Sequence, residues 1–167
     1  MRVYAEIAGV GISADSHDIA QPDPSGEGIA AAVRHTVADG GILPGQIVHL
    51  NAHATSTPLG DTGELRAMQM ALGEDANHIA ISATKSMTGH LLGGAGGIET
   101  VFTVKAVQEL LAPPTINITD LDEEADLDIV RDEPRRLPAE TADGPIVALN
   151  NSFGFGGHNV VLAVRRY

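Results

Sequence analysis

The spacing of hydrophobic and polar residues changes several times along the chain. Short apolar or alternating runs predict strands at residues 2–12, 47–52, 79–81, 146–149 and 159–164. Longer segments with an apolar face at helical spacing predict helices at residues 25–39, 61–72 and 89–111. Strands that alternate with helices indicate an α/β layer fold, and the two closing strands are expected to pair as an antiparallel hairpin.

Residues with strong end preferences mark the limits of the three predicted helices. Ser25 is expected to cap the first helix, which Gly40-Gly41 ends. Asp61 is expected to cap the second helix, with Glu64 three positions later in a pattern similar to a capping box. Pro113-Pro114 ends the third helix, because proline cannot continue a helix.

Composition narrows the class of protein. The 167 residues, 43% of them hydrophobic, suffice for a single domain over residues 1–167 with its own core. A net charge of −12 argues against nucleic-acid and anionic-membrane partners. The chain has no cysteine, which excludes disulfides, thiolate metal sites and a cysteine nucleophile within it. No apolar run approaches the ~20 residues of a membrane span and no signal-peptide pattern opens the chain, so the expected location is the cytoplasm.

Two histidines lie where predicted strands give way to turns of small residues. His53 follows the second strand within Asn51–Pro58, and His90 ends Lys85–His90. Two neutral imidazoles brought together form a pair of hydrogen-bond donors for a developing oxyanion. The alternative for His53 is a structural bond to the turn backbone. His49 points to the same side of its strand as His53 but lies ~13 Å away, too far to share one metal ion.

Charged residues near these histidines suggest how their protonation is controlled. Lys85 is one of two lysines, and it lies among small polar residues rather than in a charged segment. It is expected to pair with an acid at a helix N-terminus such as Glu64, beside the histidines, where the pair would tune their charge. Taken alone, Glu64 is explained by helix capping. Glu99 interrupts an apolar helix, as either a buried, partnered acid or a ligand of a monovalent cation.

Glycines surround Phe155 in the segment that joins the last two strands. They permit backbone conformations that other residues avoid, and such a turn can aim backbone N–H groups at an anion. The alternative is an ordinary hairpin with a bulge. Elsewhere, the eight acids between Asp120 and Glu133 lack the spacing of a calcium loop and are expected to form a solvated surface loop.

Three separated blocks together resemble a known family. They are Asn51–Asp61 (NAHATSTPLGD), Ser82–His90 (SATKSMTGH) and Asn151–Gly157 (NSFGFGG), and the likeness spans essentially the whole chain. In order and spacing they are similar to the C-terminal half of a β-ketoacyl-[acyl-carrier-protein] synthase, an elongating condensing enzyme of the thiolase superfamily. The resemblance implies an α/β, thiolase-like fold, here its C-terminal half, with a mixed five-stranded sheet packed with helices.

The resemblance also implies catalytic roles. His53 and His90 would be the two catalytic histidines, Lys85 the lysine that precedes the second one, and Glu64 the acidic partner of that lysine. The family's third catalytic residue is a cysteine nucleophile in the N-terminal half, which this chain lacks. The isolated chain is therefore predicted to be inactive.

Further positions match the part of the family's site that handles substrate. Thr55 and Thr57 would hold the phosphopantetheine arm of the acyl carrier protein, so no cofactor of the enzyme's own is expected. Phe155 would gate the site and lend its backbone N–H to the oxyanion hole. The family sometimes binds a structural monovalent cation around positions that match Asn51, Glu99 and Asn151.

The implied function is decarboxylative Claisen condensation of malonyl-carrier with an acyl-enzyme thioester in fatty acid biosynthesis. The implied partners are an acyl carrier protein and the N-terminal half of the same synthase, with a homodimer when full-length. Carrier proteins of this system are typically acidic, like this chain, so a basic docking patch would come from the missing half or from Arg66, Arg135 or Arg136. Alone, the chain would expose an apolar face and is expected to self-associate.

Three other functions stay open at this point. A polyketide-type ketosynthase half shares the histidines. A non-catalytic thiolase-fold module would bind acyl chains or a partner subunit, although it has no physical need for His53, His90, Lys85 and Phe155 together. A metal-dependent hydrolase using His49, His53 and His90 would need a spacing such as His-Glu-x-x-His, which the chain lacks.

Overall fold

The computed structural model describes residues 2–167. Its strands are β1 (Ala5–Ala14), β2 (Ile47–Asn51), β3 (Ala80–Ser82), β4 (Leu111–Ala112), β5 (Arg135–Arg136), β6 (Glu140–Thr141), β7 (Gly144–Pro145), β8 (Val147–Gly154) and β9 (His158–Arg166). Its helices are α1 (Glu27–Asp39), α2 (Pro58–Leu72), α3 (Lys85–Thr88) and α4 (Ala95–Glu109), with short 3₁₀ segments at Pro44–Gln46, Gly73–His78 and Leu92–Gly94. None of the helices in this range is long and apolar enough to cross a membrane.

Within the described part of the chain, five strands form one mixed sheet in the order β1-β9-β8-β2-β3. β2 runs parallel to both β8 and β3, whereas β9 runs antiparallel to β8 and β1. The predicted closing hairpin is therefore confirmed, although β8 and β9 are longer than the apolar runs that predicted them. The short strands pair outside this sheet, β4 with β5 and β6 with β7.

Helices cover both faces of the sheet. On one face, α1 and α2 share a core with the strand residues Leu50 and Leu149. On the other face, α4 packs through Val107 against the sheet. α1 approaches β1 so closely that a Cβ atom at Gly11 would lie 2.0 Å from the carbonyl oxygen of Ala32. Only glycine fits at that position, which explains part of the glycine content.

Exposed apolar side chains remain on the α4 face of the sheet. Gly11 of β1 faces α1, so its neighbours Val10 and Ile12 point to the opposite face, where they are 40% and 64% exposed. On the α4 side itself, Leu92 is 76% and Val101 is 57% exposed. The expected self-association of the isolated chain would use such a surface, and it stays a prediction.

Two predicted helix starts are wrong by a few residues. α1 begins at Glu27 after Gly26, whose φ of 72° lies outside the helical range. Ser25 lies one position further out, where its hydroxyl oxygen accepts the Glu27 N–H. α2 begins at Pro58 rather than at Asp61, because the fixed φ of proline suits the first helical position. Asp61 instead lies in the first turn and accepts N–H groups of the preceding loop.

The third predicted helix, at residues 89–111, is not continuous. α3 ends at Thr88, before the predicted start, and the α-helix within the predicted range is α4, which begins only at Ala95. Between them, Gly89 and Leu92 have φ values of 72° and 52°, in the left-handed region that a right-handed helix cannot contain. α4 ends where Leu110 adopts a φ of 55°. The break places His90 in a loop, where its ring is not confined to a helix surface.

The acidic segment at residues 118–136 is mostly irregular and exposed, as predicted, apart from the short strand β5 and single β-bridges at Ile129 and Arg131. Charged residues of this segment form two ion pairs, one between Arg66 and Glu124 and one, within the segment, between Arg135 and Asp128. The first of these pairs joins the segment to α2. The loop is therefore solvated but fastened to the domain.

A buried histidine in β2 makes the stability of the domain depend on pH. His49 has no exposed surface, and its Nδ1 lies 2.8 Å from the carbonyl oxygen of Ala80. Burial lowers the pKa of His49 from 6.5 to about 4. Above pH 6.5 the ring is neutral in both states, and as the pH falls towards 4 only the unfolded chain binds the proton. We therefore expect His49 to lower the free energy of unfolding by about 3 kcal/mol across that window.

Urea unfolding followed by circular dichroism at about pH 7.5 and about pH 4.5 measures this effect. The variant His49→Gln isolates it, because Glu64 and Glu99, whose pKa values burial raises, contribute with the opposite sign in both proteins. The variant is expected to lose less stability on acidification than the parent. His78→Gln, at an exposed position, is expected to behave like the parent. Equal losses in His49→Gln and the parent would contradict the prediction.

Candidate active site

The carboxyl ends of three parallel strands meet at one edge of the sheet. Asn51 of β2 is aligned with Ser82 of β3 and with Asn150 of β8, so the three strands reach the same level. The histidine loop follows β2, the Lys85 turn follows β3, and β8 runs on into the Phe155 turn. Because parallel strands bring their following loops together, this edge is where α/β sheets form ligand sites. The three blocks singled out in the sequence therefore converge.

His53 and His90 come together at this edge. Their ring centroids are 5.5 Å apart and their planes are nearly perpendicular, at 86°. The ring of Phe153 also packs against His53, with centroids 5.2 Å apart. Phe153 thus supports one side of the pair, and the sequence carried no signal for this contact beyond the position of Phe153 in the glycine-rich block.

The surroundings favour a neutral His53 and select one tautomer of His90. Burial, with smaller contributions from the charges of Lys85 and His90, lowers the pKa of His53 to about 3. The Nδ1 atom of His90 accepts the N–H of Leu92 at 3.2 Å, so the neutral ring carries its proton on Nε2. Within residues 2–167, the buried Nδ1 of His53 has no hydrogen-bond partner. Near pH 7 the ring of His53 is therefore neutral, and a neutral imidazole carries one N–H donor.

Glu64 holds the backbone of the histidine loop. Its carboxylate is 1% exposed and accepts the N–H groups of His53 and Ala54, both at 2.9 Å. The side-chain amide of Asn151 donates to the same carboxylate at 2.8 Å. Burial raises the pKa of Glu64, and these donors oppose part of that shift. The predicted capping box is therefore wrong, because α2 begins too early for Glu64 to reach its N-cap.

Lys85 pairs with Glu99, and the pairing with Glu64 predicted from the sequence is wrong. Its Nζ lies 2.6 Å from Glu99 Oε1, and the two side chains are 5% and 1% exposed. The reason is that the sheet separates the two acids. Asn150 and Asn151 of β8 point to opposite faces, so Asn150 bonds to α4 whereas Asn151 bonds to Glu64 on α2. Burial raises the pKa of Glu99, and the ammonium of Lys85 opposes part of that shift.

The three side chains matched to a monovalent cation do not converge. The amide of Asn51 donates to Asn150 at 2.9 Å, and its oxygen accepts the hydroxyl of Thr84 at 2.8 Å. Asn151 lies on the opposite face of the sheet, and Glu99 keeps one buried oxygen, Oε2, without a hydrogen-bond partner in the described residues. The cation site stays a prediction, and these three side chains do not together form its ligand shell.

The metal-dependent hydrolase finds no support in the geometry. His49 lies inside the sheet and bonds to the backbone of β3, away from the loops that carry the other two histidines. Over residues 2–167, no group of three or more histidine, aspartate or glutamate side chains is placed to hold a metal ion.

Thr55 and Thr57 lie on the loop between His53 and α2. Their hydroxyl oxygens are 3.2 Å apart, and between them Ser56 turns the chain with a φ of 65°. Asp61 holds this turn by accepting the N–H groups of Ser56 and Thr57. A cavity of about 350 Å³ opens on the Asp61 side of the loop, and Thr57 lines it whereas neither histidine does. The exposed hydroxyl of Thr57 is accessible to a polar ligand chain.

Phe155 projects from the turn between β8 and β9, with 81% of its surface exposed. Gly156 and Gly157 follow with φ values of 80° and 72°, which suit glycine and few other residues. Gly156 donates its N–H to the carbonyl oxygen of Ile19, and Gly157 accepts the N–H of Asp15, both at 2.9 Å. The backbone of the turn is therefore anchored, while the aromatic ring stands clear of the core.

Known proteins resemble this chain over almost all of its length. The family described as "Beta-ketoacyl synthase, C-terminal domain" matches residues 4–119. The 3-oxoacyl-[acyl-carrier-protein] synthase 2 of Synechocystis sp. is 48% identical over 166 residues, which are 99% of this chain and 38% of that protein. The protein of the same name from Coxiella burnetii is 44% identical over 164 residues, 98% of this chain and 38% of its own length.

Solved structures share the fold. A type II PKS acyl-carrier protein in complex with its ketosynthase includes a chain that matches with a TM-score of 0.92 at 31% identity, over 99% of this chain and 39% of that one. A β-ketoacyl synthase from Burkholderia phymatum STM815 matches with a TM-score of 0.89 at 34% identity, over 99% and 38%. The thiolase-like α/β fold with its mixed sheet is thus confirmed. With a family match over more than half of its length, this chain belongs to the β-ketoacyl synthase family and corresponds to the C-terminal domain of that family.

Proposed function

We propose that this chain is part of a 3-oxoacyl-[acyl-carrier-protein] synthase, an acyltransferase, and supplies the histidine pair of its decarboxylation site. The observation that carries the proposal is the contact between His53 and His90 at the carboxyl ends of parallel strands. Two relatives named for that activity are 44% and 48% identical to the chain. Because the chain spans 38% of their length, the activity belongs to a longer protein.

The reaction begins with an acyl group held as a thioester on a cysteine of the N-terminal half, since this chain has no cysteine. Malonyl thioester on the carrier then loses carbon dioxide, and the electron pair of the broken C–C bond forms an enolate. His53 and His90 donate hydrogen bonds to the enolate oxygen. Donors already in place for a charge that develops in the transition state lower its energy without reorganisation.

Carbon–carbon bond formation completes the cycle. The enolate carbon attacks the acyl thioester carbonyl, and the backbone N–H of Phe155 helps to hold the resulting oxyanion. Collapse of the tetrahedral intermediate expels the cysteine thiolate and leaves the 3-ketoacyl group on the carrier. The enzyme needs no cofactor of its own, because the phosphopantetheine belongs to the carrier protein.

Buried charges around the histidines organise this state without transferring protons. The ammonium of Lys85 disfavours a charged His53, which keeps that ring a neutral donor. Glu99 balances the charge of Lys85 inside the domain. Glu64 fixes the loop on which His53 lies through two backbone N–H groups.

The carrier arm enters along the loop that follows β2. Thr55 and Thr57 hold the phosphopantetheine with their hydroxyls, and Phe155 gates the site. The partners are an acyl carrier protein, the N-terminal half of the same synthase, and a second copy in a full-length homodimer. Arg66 and Arg135 already pair with acids of this chain, so the basic docking surface comes mainly from the N-terminal half.

Fatty acid biosynthesis is the favoured pathway. The relatives named 3-oxoacyl-[acyl-carrier-protein] synthase 2 are more similar to the chain, at 44% and 48% identity, than the type II PKS ketosynthase at 31%. A non-catalytic thiolase-fold module is disfavoured, because it has no need for two apposed histidines beside a buried lysine. The cytoplasmic location expected from the sequence stays a prediction.

Reassembly of the synthase tests the proposal. The purified chain is mixed with a separately made N-terminal half, and malonyl-carrier decarboxylation and 3-ketoacyl-carrier formation are followed by mass spectrometry. We expect activity only in the mixture, because one half holds the cysteine and the other the histidines. Absence of activity, despite co-elution of the two halves as one complex, would remove the proposal in favour of a binding module.

A further inference from the structure

A row of buried polar side chains crosses the sheet at the level where its parallel strands end. Ser82, Asn51 and Asn150 are aligned neighbours on β3, β2 and β8. All three are at most 1% exposed. Polar side chains are seldom fully buried in a protein core. Those that are buried are nearly always hydrogen-bonded. None of their side chains has a part in the reaction described above.

Hydrogen bonds join this row to its surroundings. The hydroxyl of Thr84 donates to Asn51 Oδ1 at 2.8 Å, and Asn51 Nδ2 donates to Asn150 Oδ1 at 2.9 Å. Asn150 Nδ2 makes a longer contact of 3.4 Å with the hydroxyl of Thr100, which itself donates to the carbonyl of Gly96 at 2.7 Å. We call Thr84, Asn51 and Asn150 the polar ladder.

Each member of the polar ladder adjoins a segment that carries a site residue. Asn51 lies two residues before His53, and Thr84 lies immediately before Lys85. Its last member, Asn150, contacts α4 one residue after Glu99, at Thr100. The polar ladder therefore connects the histidine loop, the lysine turn and the helix that holds the lysine's partner.

The chemistry of the polar ladder makes one relative placement of these segments favourable. An apolar contact tolerates a small slide, because dispersion and burial depend weakly on direction. A buried amide or hydroxyl loses its partner when it slides and leaves an unpaired polar atom in the core, which is costly. Lys85 and His90 follow Thr84 in one short stretch, so the same contact sets both relative to His53.

We propose that Thr84, Asn51 and Asn150 are positioning residues, which hold the Lys85–His90 segment at the distance from His53 that decarboxylation needs. The inference rests on the function proposed above. It predicts that loss of one hydrogen bond in the polar ladder lowers turnover without weakening substrate binding. The Thr84 hydroxyl is the sharpest point to test, because valine replaces it with almost no change of shape.

The experiment uses the complete synthase with Thr84→Val, Thr84→Ser and Thr36→Val. Thr84→Val is expected to lower kcat for malonyl-carrier decarboxylation by about 10- to 100-fold with little change in KM, the size of effect that a small misplacement of catalytic groups produces. Thr84→Ser keeps the hydroxyl and is expected to restore kcat. Thr36→Val is the matched control, since Thr36 is equally buried but bonds to backbone carbonyls of Ala32 and Val161 remote from the histidines.

Ring signals of ¹³C-labelled histidine in NMR spectra provide a second measurement. The signals of His53 and His90 are expected to shift in Thr84→Val, return in Thr84→Ser and stay in place in Thr36→Val. If Thr84→Val fails to fold, Asn150→Leu is tested instead with the same two measurements. Asn150→Gln, which keeps the side-chain amide, then takes the place of Thr84→Ser as the variant expected to restore activity. Equal kcat values in Thr84→Val and Thr36→Val, or a loss that serine does not restore, would overturn the inference.

The two proposals fail in different ways. If the parent synthase does not decarboxylate malonyl-carrier, the proposed function is wrong. The positioning role of the polar ladder is then tested by the NMR signals alone. A parent that is active, with histidine signals that do not respond to Thr84→Val, removes the positioning role and leaves the proposed function intact.

Discussion

Replacement of His53 or His90 by alanine in the complete synthase is expected to lower malonyl decarboxylation by at least about 100-fold. In the proposed mechanism each ring supplies one hydrogen bond to the enolate oxygen, and alanine would leave the developing charge without that donor. The centroid distance of 5.5 Å indicates that both rings reach one oxygen atom between them. Release of labelled carbon dioxide from malonyl-carrier, measured apart from condensation, provides the test.

Two comparisons sharpen this test. His90→Gln keeps an N–H donor on a neutral side chain, so it is expected to retain more activity than His90→Ala if donation, and not proton transfer, is the role of the ring. His78→Ala changes an exposed histidine at the amino end of β3, opposite the carboxyl end where the two histidine loops meet, and is expected to leave the rate unchanged. Near-normal decarboxylation in both alanine variants of the pair would end the assignment.

Replacement of Lys85 by methionine is expected to lower the free energy of unfolding by about 3–5 kcal/mol, because it leaves the buried carboxylate of Glu99 without its partner. The second lysine is a natural control. Lys105 forms an exposed pair with Glu109 one helical turn away, and both side chains are 53% exposed. Lys105→Met is expected to change stability by less than about 0.5 kcal/mol. Urea unfolding followed by circular dichroism compares the two variants.

The pH dependence of the stability lost in Lys85→Met identifies the cause of that loss. Without Lys85, the pKa of Glu99 in the folded chain rises further above its ordinary value. A raised folded-state pKa contributes stability at low pH that is lost as the pH rises through it, so the deficit of Lys85→Met shrinks on acidification. The double variant Lys85→Met with Glu99→Leu is expected to recover most of the loss. A deficit that is independent of pH and persists in the double variant would indicate a packing defect instead.

Local sequence patterns were sufficient for the order of the main elements and for the closing hairpin. They failed at the segment that contains His90, which the sequence predicted to be helical. The apolar residues Leu91 and Leu92 favoured a continuous helix, and the glycines around them, which can break a helix, were interpreted as sites of close helix packing. The left-handed conformations of Gly89 and Leu92 depend on how the turn packs, and tertiary contacts decide such conformations.

The partner of Lys85 shows a second kind of limit. The sequence marked Glu99 as an unusual acid and Glu64 as a capping residue that could pair with Lys85, and the helical spacing around each one was visible. Which acid meets Lys85 depends on the sheet face that each helix covers, and that follows from the crossovers of the chain. Periodicity identifies the buried side of a helix but not the surface against which it is buried.

Residue type and strand register together explain what the sequence could and could not determine. The sequence alone determined the α/β class, the two histidine blocks and the absence of a cysteine nucleophile in this chain, because these are properties of short segments and of composition. Only the tertiary structure decided that His53 meets His90 and Phe153, that Glu99 holds Lys85, and that Asn51 and Asn150 bond across strands. Contacts of this kind join residues distant in sequence, and they exist only once strand order and register are set.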